Sequence, residues 1–349
     1  MSKVAVRGYT QRLEKPQAKR SFSYDTPLRH NRVLVFDTET TIDQYQNFKI
    51  GYFQIYQDGV IQHDGLFYDP STLNEREINI LEAYSKKHNI NLYSLDEFID
   101  NVFYPEVFGL KTLCNGYNLA FDLIRIAKRS GDSRGRNRGG FTLTLSDDPF
   151  NPPIIVKKLG YSNNFKFTTT KQNKGESHFS GYFLDTQRLA EVLLQERRIS
   201  LEKAAERLNT PVKKMKEIEH GKVTEKYIDY LIKDVETTQA VYEKLVKELD
   251  VYQIHVPITK IFSEASIGKY ALSQLGVKPF LELNPDFPDL IIGNMMTSYF
   301  GGRTECKIRK EPIKVTVLDF TSMYPTVTML MNLWKYIIAE SLVSQPFNY

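Results

Sequence analysis

Arg32-Val33-Leu34-Val35-Phe36-Asp37-Thr38-Glu39-Thr40 is the stretch on which the reading of this chain turns. Its first half is β-branched and apolar, the pattern of a strand buried on both faces of a sheet. Its second half carries two acids spaced two apart. Side chains alternate along a strand, so Asp37 and Glu39 leave the same face. Two carboxylates side by side repel, and a divalent cation is the usual compensation. A pair of solvated acids at a strand end is the alternative.

Working outward, Ile50–Tyr56 reads as a second strand and Val60-Ile61 as the start of a third, ending near Phe67-Tyr68. Asp58-Gly59 between them is a hairpin signal. Residues 73–88 and 94–104 space their apolar residues by three and four and are expected to be helices. Asn74 and Ser94 are suited to cap them, and Ser94 with Glu97 fits a capping box. A strand at Thr112-Leu113-Cys114 leads through Asn115-Gly116-Tyr117-Asn118 into a helix over about 119–128.

Residues 129–180 change character. Gly, Ser, Asn, Lys and Arg dominate, with β-prone pieces at Phe141–Leu145, Ile154–Val156 and Phe165–Thr169. This region is expected to be an inserted β-hairpin with loops. Regular structure resumes with a strand at Gly181–Asp185, then helices at 186–196, 201–208 (Ser200 as N-cap) and 224–249. Antiparallel strands followed by alternating helices and strands predict an α/β architecture, a mixed sheet flanked by helices. Pro279, Pro285 and Pro288 mark a looser connection. A strand at Ile313–Leu318 is expected to begin another sheet. Helix 327–340 follows, with Met329, Leu330, Met331, Leu333 and Trp334 as an exposed apolar surface.

The composition is that of a globular protein: 41% hydrophobic and 25% charged among 349 residues, net charge +4. No apolar run is long enough for a spanning helix, and no membrane partner is expected. Residues 1–30 hold Lys3, Arg7, Arg12, Lys15, Lys19, Arg20 and Arg29 against Glu14 and Asp25, so the positive charge gathers there. A solvated tail and a basic arm on nucleic acid are both open. Cys114 and Cys306 form neither a disulfide framework nor a zinc site, which points to a reducing compartment. A cytoplasmic or nucleoid-associated location is the expectation, with an organellar one open.

Two further acids join the first pair. Asp122 in Asn118-Leu119-Ala120-Phe121-Asp122 falls at a helix start, where the dipole favours a carboxylate. Tyr230 and Asp234 lie four apart, on one face of the long helix. Singly, each is an ordinary helix residue. Together, Asp37-x-Glu39, Asn118-x-x-Phe121-Asp122 and Tyr230-x-x-x-Asp234 resemble the DEDD superfamily of 3′–5′ exonucleases, in its tyrosine subtype. Position 229, where the histidine subtype carries His, holds Asp229. The resemblance spans residues 31–249 and implies a ribonuclease-H-like fold. It makes Asp37, Glu39, Asp122 and Asp234 ligands of two Mg²⁺ or Mn²⁺ ions and Tyr230 the residue that orients the attacking water. It further implies that Thr38, Asn118 and Phe121, and more loosely Ser200 and Leu201, contact single-stranded DNA. Ser200 is equally well explained as a helix cap, and Phe121 as a core aromatic. The chemistry fits these residue types: a phosphodiester repels nucleophiles, and two hard cations held by oxygen ligands offset that charge.

Downstream, Tyr299-Phe300-Gly301-Gly302 and Asp319-Phe320-Thr321-Ser322-Met323-Tyr324-Pro325 resemble family B DNA polymerases. The first resembles the linker between exonuclease and polymerase domains, implying DNA contacts at Tyr299, Gly301 and Gly302. The second resembles the first palm motif, implying Asp319 as a polymerase metal ligand and Ser322, Met323 and Tyr324 near the incoming nucleotide. The family usually has Leu where Met323 stands. Neither the finger-domain lysine motif nor the second palm motif occurs in the chain, so its polymerase site is expected to be incomplete. The expected organisation is a basic tail over 1–30, an exonuclease domain over 31–250 with the β-rich insertion 129–180, and a linker with an incomplete palm over 251–349. The leading expectation is a proofreading 3′–5′ exonuclease in DNA replication, acting on single-stranded and primer-template DNA. Two others stay open: a silent single-strand-binding scaffold, and one subunit of a split polymerase completed by a second chain.

Overall fold

A computed structural model describes residues 26–159, 162–168, 181–211, 221–298, 308, 311–316, 322–337 and 339–340. Of these, residues up to Ala271 fall in one compact unit and those from Leu272 on in another.

The first unit is built on a mixed six-stranded sheet of order β10-β5-β1-β2-β3-β4. Strands β1 (Arg32–Thr40), β2 (Phe48–Gln57) and β3 (Val60–Tyr68) run antiparallel in sequence. The turn between β2 and β3 is Asp58-Gly59, with φ of 51° and 79°. Two consecutive left-handed residues match the twist of a tight hairpin, which is why Asp-Gly serves there. On the other side of β1, β5 (Leu113–Gly116) and then β10 (Phe183–Asp185) pair parallel. Strand β4 (Asn91–Ser94) pairs parallel to β3. β1 is thus central, as its apolar run implies.

Alternation along β1 feeds two cores. Val33 and Val35 pack under α1 (Glu75–His88), α4 (Thr186–Leu193), α5 (Leu201–Arg207) and the 27-residue α6 (Glu225–Val251). Leu34 and Phe36 pack on the other face with Phe53, Phe67, Phe98 and Phe103. The Phe67 and Phe98 rings stack at 3.9 Å. The α6-side core continues through Val256, Ile258 and Ile261, with Ile267 and Tyr270 packed on it.

Asn74 and Ser94 cap their helices as expected; the expected capping box forms at Ser94–Glu97, and Asn74 makes a second one with Glu77. The helix after Ser94 runs further than its periodicity suggests. A short α2 (Leu95–Phe98) widens into π-helical turns over Ile99–Gly109, with Pro105 inside. The Leu110 amide reaches back five residues to the Pro105 carbonyl at 2.8 Å. A wider turn accommodates a residue that has no amide hydrogen to give. Helix α3 spans Leu119–Arg125. A second, antiparallel sheet of order β6-β7-β8-β9 comprises Arg129–Asp132, Phe141–Thr144, Ile154–Leu159 and Ser162–Phe167.

Helix α7 (Glu264–Gln274) lies mostly in the first unit and its last turn belongs to the second, which then contains α8 (Phe280–Leu283) and α9 (Asp289–Ser298). The strand expected at Ile313–Leu318 is absent over its described residues, 313–316. A strand needs a partner ladder, and no described residue of this unit supplies one. The helix expected over 327–340 is two pieces, α10 (Met323–Leu330) and α11 (Trp334–Ile337). Asn332, at φ 53°, breaks it with a left-handed residue. Met329, Leu330, Met331 and Trp334 are exposed, as expected, whereas Leu333 is half-buried. No described helix is long and apolar enough to cross a membrane.

Candidate functional site

The expected exonuclease residues gather around the C-terminal end of β1, on both of its faces. Asp37 and Glu39 follow Val33 and Val35 in the alternation and emerge toward α6. Thr38 follows Leu34 and Phe36 and emerges toward α3.

On the α6 face, Tyr227, Tyr230, Leu231 and Asp234 form one helical stripe turned to the sheet, all buried. The Tyr227 hydroxyl donates to Glu39 Oε2 at 2.6 Å. The Tyr230 hydroxyl hydrogen-bonds to Asp234. Burial pushes the Tyr230 hydroxyl far above its ordinary range, and negative charge at Asp234, Glu39 and Asp37 pushes it further. Tyr227 is raised for the same reasons, burial first and then Glu39. Both hydroxyls therefore stay protonated and act as donors. The two rings lie parallel, 6.4 Å apart.

On the α3 face, Thr38 donates its hydroxyl to Asp122 Oδ1 at 2.7 Å. Asp122 is 1% exposed. Burial raises its carboxyl to about 8; Thr38 opposes this, and the nearby Asp185 adds to it. Asp185, at the end of β10, caps α4 by accepting the Gln187 amide at 3.1 Å. The same oxygen accepts the Asn118 amide at 3.0 Å. Asn118 takes a left-handed conformation, φ 66° and ψ 45°, where the chain turns from β5 into α3. Burial raises the Asp185 carboxyl to about 6. Beneath it, Thr186 donates to the buried Asn115 at 2.6 Å.

Not every expected contact residue faces outward. Thr38 is 5% exposed and its hydroxyl is committed to Asp122, so its role in the structure is to hold that acid and not to offer a surface. Leu201 is 8% exposed within the α6-side core, and Ser200 caps α5 by accepting the Lys203 amide at 3.2 Å. Asn118 is exposed and Phe121 half-buried. The Phe121 ring lies under the Arg125 guanidinium at 4.7 Å, so it is not a core aromatic. Tyr299, Gly301, Gly302 and Asp319 lie outside the described residues. Ser322 opens α10 at φ 55°, with Met323 and Tyr324 exposed on its first turn.

Two residues of the site were not read from the sequence. Tyr227 has the spacing of a core residue, three before Tyr230, and only the fold reveals its hydroxyl on Glu39. Asp185 has the position of a helix cap, and an acid ending a strand was the one available signal.

Among the described residues, no three His, Cys, Asp or Glu side chains converge closely enough to form a ready cation cage. The donors are hard oxygens all the same. Asp122 Oδ2 is buried and makes no hydrogen bond, so that oxygen is not committed to another group of the protein. The carboxylate set therefore fits Mg²⁺ or Mn²⁺ better than a soft metal.

No curated protein matches the chain. Residues 162–333 match the family model for DNA polymerase type B, organellar and viral. This span runs from β9 across Asp185, Tyr230 and Asp234 to the segment that includes Ser322 and Tyr324. Over residues 162–333 the chain is therefore similar to a portion of a family B DNA polymerase.

Proposed function

We propose that the first unit is a ribonuclease-H-like 3′–5′ exonuclease that removes nucleotides from single-stranded or mismatched DNA ends, the proofreading partner of DNA synthesis. The observation that carries this reading is the arrangement around β1. One strand end offers Asp37 and Glu39 to Tyr227, Tyr230 and Asp234 on one side, and Thr38 to Asp122 on the other. Four acids with two protonated tyrosine hydroxyls suit a substrate whose reaction needs cations, an oriented water and no protein nucleophile.

In this reading Asp37, Glu39, Asp122 and Asp234 are the residues that would hold two Mg²⁺ or Mn²⁺ ions. When bound, the ions supply Lewis-acid activation of water and neutralise charge on the phosphodiester. Tyr230 cannot serve as a base, because its proton is held firmly. It orients water by hydrogen bonding. Tyr227 fixes the rotamer of Glu39, and Thr38 fixes that of Asp122, so the carboxylates are preorganised before substrate arrives. Asn118 and Phe121, at the mouth of α3, contact the strand. The family match and the palm-like motif support a polymerase context in which Ser322, Met323 and Tyr324 lie near a nucleotide, and the linker-like motif suggests DNA contacts at Tyr299, Gly301 and Gly302.

The test is digestion of a 5′-labelled single strand and a 3′-mismatched duplex with Mg²⁺, with Mn²⁺ and with EDTA. Asp37→Ala/Glu39→Ala protein is the control. A metal-dependent ladder shortening from the 3′ end, absent in the double variant, is the expected result. A folded wild-type protein that binds the strand and never shortens it would replace this reading with that of a scaffold.

A further inference from the structure

The loop between β1 and β2 is ordered and yet presents two large apolar side chains to solvent. Ile42 is 79% exposed and Tyr45 is 68% exposed. The exposure does not come from slackness. Asp43 Oδ1 accepts the Thr41 hydroxyl at 2.9 Å and the amides of Tyr45 and Gln46 at 2.9 and 3.1 Å. The Thr41 hydroxyl accepts the Asn47 amide at 2.9 Å, and the Thr41 amide donates to the Asn47 carbonyl at 2.9 Å. Arg125 then ties the loop to α3, donating to the Tyr45 carbonyl at 3.2 Å and to Gln46 Oε1 at 2.7 Å. The same guanidinium lies over Phe121, and its Nε has no hydrogen-bond partner.

One exposed ring is ordinary on a protein surface, but a loop held this firmly by hydrogen bonds offers a preformed face on which a flat ligand can stack at little cost in ordering. Chemistry and position identify the class. The loop begins two residues after Glu39, and Arg125 lies three residues after Asp122, so both flank the carboxylates. The Arg125 cation beside the exposed Tyr45 ring and the half-buried Phe121 ring suits a chain that carries phosphates and flat bases; a protein helix or a lipid surface would need a broader apolar face.

We infer that loop 41–47 is a stacking platform for a single strand of nucleic acid, with the Tyr45 ring under a base upstream of the terminal nucleotide. Arg125 is a positioning residue, holding the loop to α3 and bringing positive charge to the strand's backbone. The inference rests on the proposed reading of the same site and adds to it the path by which the strand approaches.

The test uses the full chain in EDTA, so that binding is read without cleavage. The probe is a 5′-fluorescein 16-nucleotide thymidine oligonucleotide, followed by anisotropy. Tyr45→Ala is expected to weaken binding roughly 5- to 100-fold, the worth of one stacked base. Tyr45→Phe, which keeps the ring, restores it. Tyr252→Ala, an exposed tyrosine beyond the end of α6, leaves binding unchanged. Because Tyr45 is exposed, the variant's melting curve should overlay the wild type's. Equal affinity of the Tyr45→Ala and wild-type proteins overturns the inference, even if both digest DNA. Tyr45-dependent binding by a protein that never digests DNA sustains the platform and sinks the exonuclease. Absence of any binding by folded wild-type protein overturns the platform.

Discussion

The Tyr227 hydroxyl donates to Glu39 Oε2 across 2.6 Å, joining the long helix to the central strand at the point where the carboxylates emerge. A hydrogen bond to a charged acceptor contributes about 1.5–3 kcal/mol. Tyr227→Phe keeps the ring and removes this bond. It should lower stability by about 1–2 kcal/mol and raise the Mg²⁺ concentration needed for half-maximal digestion roughly tenfold or less. Urea melts and a Mg²⁺ titration of the 3′ digestion rate measure the two effects. An unchanged Mg²⁺ requirement would remove Tyr227 from the site.

The burial of Asp122 costs the cation-free fold stability at alkaline pH. Its carboxyl rises from 3.8 to about 8, chiefly through burial, so the folded state holds a proton that the unfolded chain has already released over that range. Stability from this group is therefore lost as pH rises from about 4 to 8. In EDTA, Asp122→Asn should melt above the wild type at pH 8, by on the order of a few °C, with the gap narrowing toward pH 5. Digestion should be abolished. A variant that melts below the wild type at pH 8 would mean that the ionised carboxylate has a stabilising partner in the cation-free protein.

The lead-in to α6 is clamped by a buried ion pair. Lys49 Nζ lies 2.8 Å from Glu77 Oε1 and 2.9 Å from the Gly221 carbonyl, and Glu77 also accepts the Val223 amide at 3.1 Å. Burial pushes the Glu77 carboxyl up, but Lys49 and the Val223 and Asn74 amides prevail and hold it below its ordinary value. Removing one partner strands the other, so Lys49→Met should cost about 3–5 kcal/mol. Lys49→Met/Glu77→Gln should recover part of this. Denaturant midpoints of the three proteins decide the point, and equal losses in single and double variants would disprove the coupling.

His30 carries a pH dependence of the opposite sign. It packs edge-on against Tyr182 at 4.6 Å, and burial lowers it from 6.5 to about 4. The folded protein resists a proton that the unfolded chain accepts. The contribution is complete above pH 6.5 and fades as pH falls toward 4, worth on the order of 1–3 kcal/mol after allowance for partial exposure. His30→Leu should flatten the stability profile between pH 6.5 and 4, as read by thermal melts.

The legible parts of this protein were those written in local chemistry. The β1 run, the Asp58-Gly59 turn and the caps at Asn74, Ser94 and Ser200 each follow from a few neighbouring residues, and each appears in the fold. The illegible parts depend on what stands opposite. Thr38 reads as a surface residue until α3 arrives on its face with Asp122. Tyr227 and Asp185 resemble a core aromatic and a helix cap, which they also are. The π-helical turns around Pro105 and the break at Asn332 are decided by packing and backbone strain, to which the 3.6-residue periodicity is blind. The resemblance to DEDD exonucleases and family B polymerases linked the Asp37/Glu39 pair, Asp122 and Asp234, which spacing alone left as three separate observations, and the family match covers residues 162–333.

Three consecutive residues of β1, Asp37, Thr38 and Glu39, address both halves of the site, and their separations are set by covalent geometry and the strand's pleat. No loop movement can stretch that interval. The strand is a fixed ruler against which only α3 and α6 can slide. A change in the spacing between the two halves of the site therefore has to come from the side chains of Asp122, Tyr230 and Asp234 or from the helices that carry them, α3 and α6. The hydrogen bonds of Thr38 to Asp122 and of Tyr227 to Glu39 are the detents that such a displacement has to leave.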